Sequence, residues 1–173
     1  MATEQLVVFN AFYLQDLMDE TDWLATPVYC LLLRNNGPGL GQEWFARTLA
    51  DKKDPATLQA LFSAPNNAVE ITSTGYTRQV VTPSQIAIQT TIADRGEWRI
   101  AESSVEFGNP IGDATQQNIE GVVIYTGTGT SAGDATNVPL IMQEYGTSKP
   151  TADGPVTANF TNADNALWFK TQP

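Results

Sequence analysis

The sequence contains no histidine and only one cysteine, Cys30, in 173 residues. The absence of histidine excludes Ser-His and Cys-His catalysis, imidazole metal ligation and pH switching by histidine. A single cysteine excludes an intrachain disulfide and a cysteine zinc cluster. Because Cys30 lies inside the apolar run VYCLLL, we expect a small core residue rather than a nucleophile. No catalytic residue, cofactor site or metal site is predicted.

Basic residues are also scarce: nine Lys and Arg stand against nineteen Asp and Glu, giving a net charge of -10. No run of Lys or Arg exists that would follow nucleic-acid phosphates, and an acidic surface is repelled by anionic membranes. No apolar stretch has the length of a membrane span, and the start MATEQLVVFNAF lacks signal-peptide features. We therefore expect no nucleic acid and no membrane as partners, and synthesis in the cytoplasm.

Two polar stretches are weighed as sites and interpreted as surface. Four acidic residues lie near the end of the first predicted helix: Asp16, Asp19, Glu20 and Asp22. This stretch lacks the alternating oxygen ligands and the central glycine of a calcium-binding loop, so we interpret it as solvated surface. The glycine-rich stretch Thr126 to Gly133 lacks Gly-Lys-Ser/Thr and precedes a strand, which predicts a loop between strands rather than a phosphate cradle. No pair of acids is singled out for glycosidase chemistry, so the chain is predicted not to be an enzyme.

The first third of the chain has a largely helical pattern. Apolar residues from Leu6 to Met18 recur at helical spacing, and Thr26 to Arg34 is β-branched and apolar, as in a buried strand. The loop NNGPGLG follows. Two short helices are then predicted, over Gln42 to Asp51 and over Ala56 to Phe62, the second with Asp54-Pro55 as N-cap and first-turn proline.

From residue 65 onward the apolar pattern has period two, and turn residues separate the runs. The predicted strands are Val69 to Ser73, Tyr76 to Val81, Gln85 to Ile92, Glu97 to Phe107, Ile119 to Thr126, Val138 to Tyr145, Val156 to Phe160 and Ala166 to Lys170. The fold prediction is one α+β domain over 1–173, mainly β, with antiparallel sheets in a β-sandwich or barrel-like arrangement. Its helix-containing amino-terminal portion, with one strand, is 1–64, and its antiparallel β portion is 65–173.

Four tryptophans stand at positions 23, 44, 98 and 168. Exposed tryptophans form sugar-stacking platforms, but large aromatic side chains more often bury apolar area in a core or a subunit contact. We favour the second interpretation. The candidate interface residues are Trp44, Phe45, Trp98 and Trp168.

The stretch EITSTGYTRQVV, Glu70 to Val81, is a strand-like run broken by one glycine. Gly75 is expected to adopt a positive φ at a bulge or bend, because only glycine does so without strain. Tyr76 should then turn inward with a hydroxyl that needs a partner. Alternation places Arg78 on the same face, where its guanidinium could bridge carbonyl groups or a carboxylate such as Glu70. We interpret this motif as a structural corner of the fold.

The segment STGYTRQVV resembles a Gly-Tyr-x-Arg strand found in small virion structural proteins of tailed bacteriophages, a group that includes capsid decoration, cement and tail-fibre-like proteins. The order of further segments is also similar to that group. A short helix like NAFYLQDLMDETDW comes first, followed by a strand like TPVYCLLL, and later strands resemble SVEFGNPIG, IEGVVIYTG, VPLIMQEY and ALWFK. The resemblance covers most of the chain. The helical segment Gly41 to Ala64 departs from it, since a brief acidic loop is usual there.

The resemblance implies a virion protein that acts through its surfaces, and localisation in the virion. A capsid decoration or cement protein would bind the major capsid protein or neighbouring virion proteins, and would assemble as a homotrimer or another small homo-oligomer. A tail, baseplate or fibre-attachment protein is the alternative within the same class. A carbohydrate-binding β-sandwich module is the alternative from another class.

Overall fold

The computed structural model describes residues 5–12, 27–81, 86–92, 95–100, 104–111, 117–150, 154–159 and 168–170. Its strands are β1 (Gln5–Val8), β2 (Val28–Arg34), β3 (Gln79–Val81), β4 (Ile86–Ile92), β5 (Arg95–Ile100), β6 (Ser104–Ile111), β7 (Asn118–Thr126), β8 (Val138–Pro150), β9 (Gly154–Asn159) and β10 (Trp168–Lys170). Its helices are α1 (Gln42–Phe45), α2 (Leu49–Lys52) and α3 (Leu58–Phe62), with a 3-10 turn at Ser131–Gly133. The prediction of a mainly β, α+β fold is confirmed.

The central feature is a five-stranded antiparallel sheet with the order β1-β8-β7-β2-β3. Strands β2 and β7 lie inside it and are paired in register from Val28 opposite Thr126 to Leu33 opposite Gly121. Side chains on both faces of β2 are buried, which explains why its sequence is a continuous apolar run instead of an alternating one. Each fully buried leucine there contributes about 1.5–3 kcal/mol relative to exposure.

The two faces of this sheet bury different partners. On one face, Cys30, Leu32 and Ile124 pack in a cluster with Val105 and Phe107 of the small β6-β9 sheet. On the other face, Leu31 and Val123 pack in a cluster with Trp44 of α1 and with Leu58 and Leu61 of α3. The helical segment therefore covers one face of the sheet, as layer packing predicts.

A further small sheet has the order β10-β5-β4. For β4, β5 and β10 the structure describes the backbone and the strand pairing but not the side chains. Phe169 pairs with Trp98, and Trp168 pairs with Arg99. The predicted strands Gln85 to Ile92 and Ala166 to Lys170 therefore contain β4 and β10.

Several predicted elements need correction. The helix predicted over Leu6 to Met18 is wrong at its start, because residues 5–8 form β1, paired antiparallel with β8. Residues 10–12 are helical, and residues 13–18 of the prediction lie outside the described structure. Tertiary pairing overrides the helical spacing here, because Val7 and Val8 are β-branched and fit an edge strand. The strand predicted over Glu97 to Phe107 includes parts of two strands, β5 and β6.

The helical prediction for residues 42–62 is right in type and wrong in detail. The expected helix Gln42 to Asp51 is two single-turn helices, and Thr48 caps the second of them by accepting a hydrogen bond from the Asp51 N–H. The N-cap of α3 is Thr57, whose side chain accepts from the Ala60 N–H at 3.1 Å, so Asp54-Pro55 is not the cap. In the described part of the chain, no helix has the length and hydropathy to span a bilayer.

Candidate functional site

The segment from Glu70 to Val81 runs along the edge of β2 and leaves it in the middle. At one end Glu70 forms an isolated antiparallel bridge with Leu33, and the Ile71 N–H donates to the Leu32 carbonyl at 3.1 Å. At the other end β3 pairs with the start of β2. The strands predicted over Val69 to Ser73 and Tyr76 to Val81 are therefore too long. The first is only the bridge at Glu70, and the second is only Gln79–Val81.

Gly75 makes the departure from β2 possible. Its φ is +83°, and the Tyr76 N–H donates to the Ser73 carbonyl at 3.1 Å, which closes a tight turn. This conformation is strained for residues that carry a Cβ, whereas glycine adopts it freely. The predicted positive φ at Gly75 is confirmed.

Tyr76 turns inward, as predicted, and its hydroxyl has two partners. The hydroxyl donates to Glu70 Oε1 at 2.8 Å and accepts the Leu32 N–H at 3.0 Å. The ring stacks on Phe107 with centroids 6.1 Å apart. Burial, reinforced by the negative charge of Glu70, raises the pKa of Tyr76 well above its ordinary value, so the hydroxyl remains a neutral donor.

Arg78 is the centre of the site and binds two carboxylates. Its Nε and Nη2 donate to Glu70 Oε1 and Oε2 at 2.8 and 2.6 Å, so of the two kinds of partner expected, carbonyl groups or a carboxylate such as Glu70, the carboxylate is observed. Its Nη1 and Nη2 donate to Asp134 Oδ1 and Oδ2 at 2.6 and 3.0 Å. Burial acts to lower the pKa of Arg78, but the hydrogen bonds to Glu70 and Asp134 outweigh it and raise that pKa. The side chain, only 5% exposed, is a permanent cation held between two anions.

Aromatic rings complete the surroundings of the guanidinium. Its carbon lies 5.5 Å from the centroid of Tyr125 and 6.0 Å from that of Phe62, within the range of cation–π contacts. Tyr125 in turn stacks on Tyr29. Burial raises the pKa of Tyr125 to about 12, although the positive charge of Arg78 opposes the rise.

Asp134 reaches Arg78 from the loop between β7 and β8, the stretch predicted as a loop between strands. Asn137, which is fully buried, holds this loop in shape. Its Oδ1 accepts from the Thr128 N–H at 2.7 Å, and its Nδ2 donates to the Thr128 carbonyl and to Asp134 Oδ1. Sequence reasoning missed both Asp134 and Asn137. The only signal was a turn-rich Gly-Asp-Ala-Thr-Asn stretch, which does not reveal a partner in another part of the chain.

An open cleft of about 390 Å³ lies beside this network. One wall is formed by residues 70–73 and 76–78, and the other by residues 129–131 of the β7–β8 loop. The Arg78–Asp134 ion pair joins the two segments that form these walls. The cleft therefore has walls that the ion pair fixes in position.

The predicted interface residues occupy different environments. Trp44 has no exposed surface, its Nε1 donates to Met142 Sδ at 3.2 Å, and its ring stacks on Phe9. The interface expectation for Trp44 is therefore wrong, since this side chain belongs to the core of the single chain. Phe45 is partly buried against the same cluster. For Trp98 and Trp168 an interface role stays a prediction, because the described structure does not include their side chains.

The acidic cluster, possible metal sites and Cys30 are the remaining candidates. Asp16, Asp19, Glu20, Asp22 and Trp23 lie outside the described residues. Within the described ranges, no group of three or more Cys, Asp or Glu residues is placed to hold a metal ion. Cys30 is buried, and burial raises the pKa of its thiol far above the ordinary value, consistent with the core role expected for it.

Comparisons of this chain with protein-family models, with curated proteins and with solved structures found no match.

Proposed function

We propose that this chain is a structural protein of a tailed-bacteriophage virion, acting as a capsid decoration or cement protein. The starting point is the resemblance of the Gly75-Tyr76-Thr77-Arg78 segment and of the order of the surrounding segments. The polar side-chain groups of Tyr76 and Arg78 are bound to internal partners, namely Glu70, Asp134 and the Leu32 N–H. Such a motif contributes rigidity to a surface-binding protein.

The observation that carries the proposal is the apolar character of both outer strands of the main sheet. Leu6 on β1 is 39% exposed, and Val80 on β3 is 50% exposed. Outer strands carry backbone groups available for pairing with another chain, and exposed apolar side chains there favour association. Two such strands on opposite edges suit a protein that contacts copies of itself and a neighbour.

Two more exposed apolar side chains lie at or within the segment that departs from the resemblance. Leu40 and Leu49, which are 41% and 38% exposed, lie just before and within the helical segment Gly41 to Ala64. Isolated exposed leucines are ordinary. In a cement protein these residues would form a contact specific to this virion, with small contacts multiplied by avidity over many shell sites.

The test is cosedimentation of the purified protein with capsid shells assembled without it. Saturable binding is expected, with weaker binding for Leu49→Asp and for Val80→Asp, since a charge opposes burial of either surface. Thr157→Asp serves as the control, because Thr157 is also exposed but lies on the separate β6-β9 sheet. Failure of the wild-type protein to sediment with shells would refute the decoration role, and equal loss in all three variants would refute the assigned surfaces.

The oligomeric state is tested separately. We propose a homotrimer or another small ring, because closed rings match the symmetry positions of a capsid shell. Light scattering coupled to size-exclusion chromatography should give a mass that is a small multiple of the 18.8 kDa chain. A monomer at all concentrations would contradict this part of the proposal. The tail or baseplate alternative predicts binding to tails instead of shells.

A further inference from the structure

The cleft beside Arg78 contains a buried hydroxyl without a partner. Ser73 is 4% exposed, it lines the cleft, and its Oγ has no hydrogen-bond partner among the described residues. A buried hydroxyl can both donate and accept one or more hydrogen bonds, and leaving it unpaired is unfavourable. A ligand group that reached Ser73 would relieve this cost.

Glu70 supplies an acceptor on the same wall. Its carboxylate accepts three hydrogen bonds, from the Tyr76 hydroxyl and from Nε and Nη2 of Arg78. A carboxylate has about four acceptor positions, so one position remains, on Oε2. The Glu70 side chain is 19% exposed and lines the cleft.

The charges of the site disfavour an anionic ligand. Two carboxylates surround one guanidinium, which leaves a formal charge of -1, and the guanidinium donors are already directed at those carboxylates. A phosphate or sulfate would find no free cationic clamp here. An apolar ligand is equally unsuited, because hydroxyl-bearing residues dominate the walls: Thr72, Ser73, Tyr76, Thr77, Thr130 and Ser131.

We propose that this cleft binds a neutral saccharide, whose hydroxyls donate to Glu70 and exchange hydrogen bonds with Ser73 and with the 129–131 wall. Sugar hydroxyls are both donors and acceptors, and so match a mixed lining of hydroxyls with one acidic acceptor. The volume of about 390 Å³ is at the small end of ligand sites, which suits one or two sugar rings. This inference does not depend on the virion proposal.

The experiment is a titration of the ¹⁵N-labelled full chain, followed by amide chemical shifts. The probes are the methyl glycosides of glucose, galactose and mannose, together with N-acetylglucosamine, and inorganic phosphate as the anionic probe. At least one sugar should shift the Ser73 and Thr130 amides saturably, with a dissociation constant in the millimolar range. Ser73→Ala should weaken that binding by about 2- to 10-fold, the usual effect of one lost hydrogen bond.

Two further variants make the outcome decisive. Ser63→Ala removes an exposed hydroxyl outside the cleft and should leave the affinity unchanged. Thr130→Val changes the exposed opposite wall, so it tests the site even if Ser73→Ala does not fold. The proposal is overturned if none of the sugars shifts these amides, if phosphate shifts them at lower concentration than any sugar, or if Ser63→Ala weakens binding as much as the cleft variants.

Discussion

The guanidinium of Arg78 binds the carboxylate of Asp134 across 56 positions of the chain, with Nη1 and Oδ1 2.6 Å apart. The pair joins the corner that follows Gly75 to the loop between β7 and β8. Because Arg78 also binds Glu70, the three residues fix both walls of the cleft relative to the main sheet.

Removing this cation should destabilise the fold. Arg78→Ala leaves two poorly exposed carboxylates without their common partner, and we expect a loss of about 3 kcal/mol in the free energy of unfolding. Arg78→Lys should lose less, because an ammonium keeps the charge but cannot make the same planar double fork. Urea unfolding of the three proteins measures the differences. Equal stability of Arg78→Ala and the wild type would contradict the role assigned to the network.

The Tyr76 hydroxyl should contribute measurably to the stability of the fold. Tyr76→Phe removes the partner of the Leu32 N–H and one donor to Glu70, so we expect a loss of about 1–3 kcal/mol in unfolding free energy. The matched control is Tyr29→Phe, since the Tyr29 hydroxyl makes no hydrogen bond within the part of the chain described. Thermal and urea unfolding compare the two. A control that loses as much as Tyr76→Phe would show that the bridge contributes nothing specific.

Substitutions at three glycines should distinguish the stability cost of backbone strain from the cost of a steric clash. Gly37, Gly41 and Gly75 all have positive φ, of +108°, +105° and +83°. An added Cβ at Gly37 meets nothing within 4 Å, whereas at Gly41 it would collide with the Arg34 carbonyl oxygen. Gly37→Ala should therefore show only the cost of strain, about 1–2 kcal/mol, and Gly41→Ala a clearly larger loss. Gly75→Asn should cost less than Gly75→Ala, because asparagine tolerates the left-handed region. The reverse ranking of Gly37→Ala and Gly41→Ala in urea unfolding would contradict this account.

A second buried ion pair predicts a pH dependence of stability. Lys52 Nζ lies 2.6 Å from Glu144 Oε1, with side-chain exposures of 2% and 10%. Burial raises the pKa of Glu144 above its ordinary value of 4.5, although Lys52 opposes the rise. The folded protein therefore holds this proton more tightly than the unfolded chain. The stabilisation from Glu144 titration is present below 4.5 and is lost as the pH rises through the folded-state pKa.

The double variant Lys52→Met with Glu144→Leu isolates this contribution. The wild type should lose stability relative to the double variant as the pH rises from 4.5 through the folded-state pKa. Near neutral pH the double variant should be as stable as the wild type or more so, whereas Lys52→Met alone should lose about 3 kcal/mol. Urea unfolding at several pH values gives these differences. If the wild type instead became more stable relative to the double variant as the pH rises over this range, the pKa of Glu144 would be shifted in the opposite direction.

Local sequence patterns predicted the buried strands and the Gly75 corner. Features that depend on contacts between distant parts of the chain could not be predicted from them. The apolar runs of β2 and β7 are unmistakable because both of their faces are buried. Alternation placed Arg78 on the same face as Tyr76 and left carbonyl groups or a carboxylate such as Glu70 as its expected partners, and the structure shows Glu70. Asp134 could not be found in this way, because the loop that carries it is positioned by Asn137 and by the sheet. The start of the first predicted helix failed since Leu6 and Phe9 fit a helical period while β8 provides strand pairing.

The capsid decoration proposal is tested most directly by imaging shells that were assembled without this protein and then incubated with it, at subnanometre resolution. We expect density at regular positions between major capsid proteins, with the main sheet's outer strands or the Gly41 to Ala64 segment facing the shell. Bare shells, with density for this protein only on the tail or baseplate of complete particles, would contradict the decoration role and favour the tail alternative.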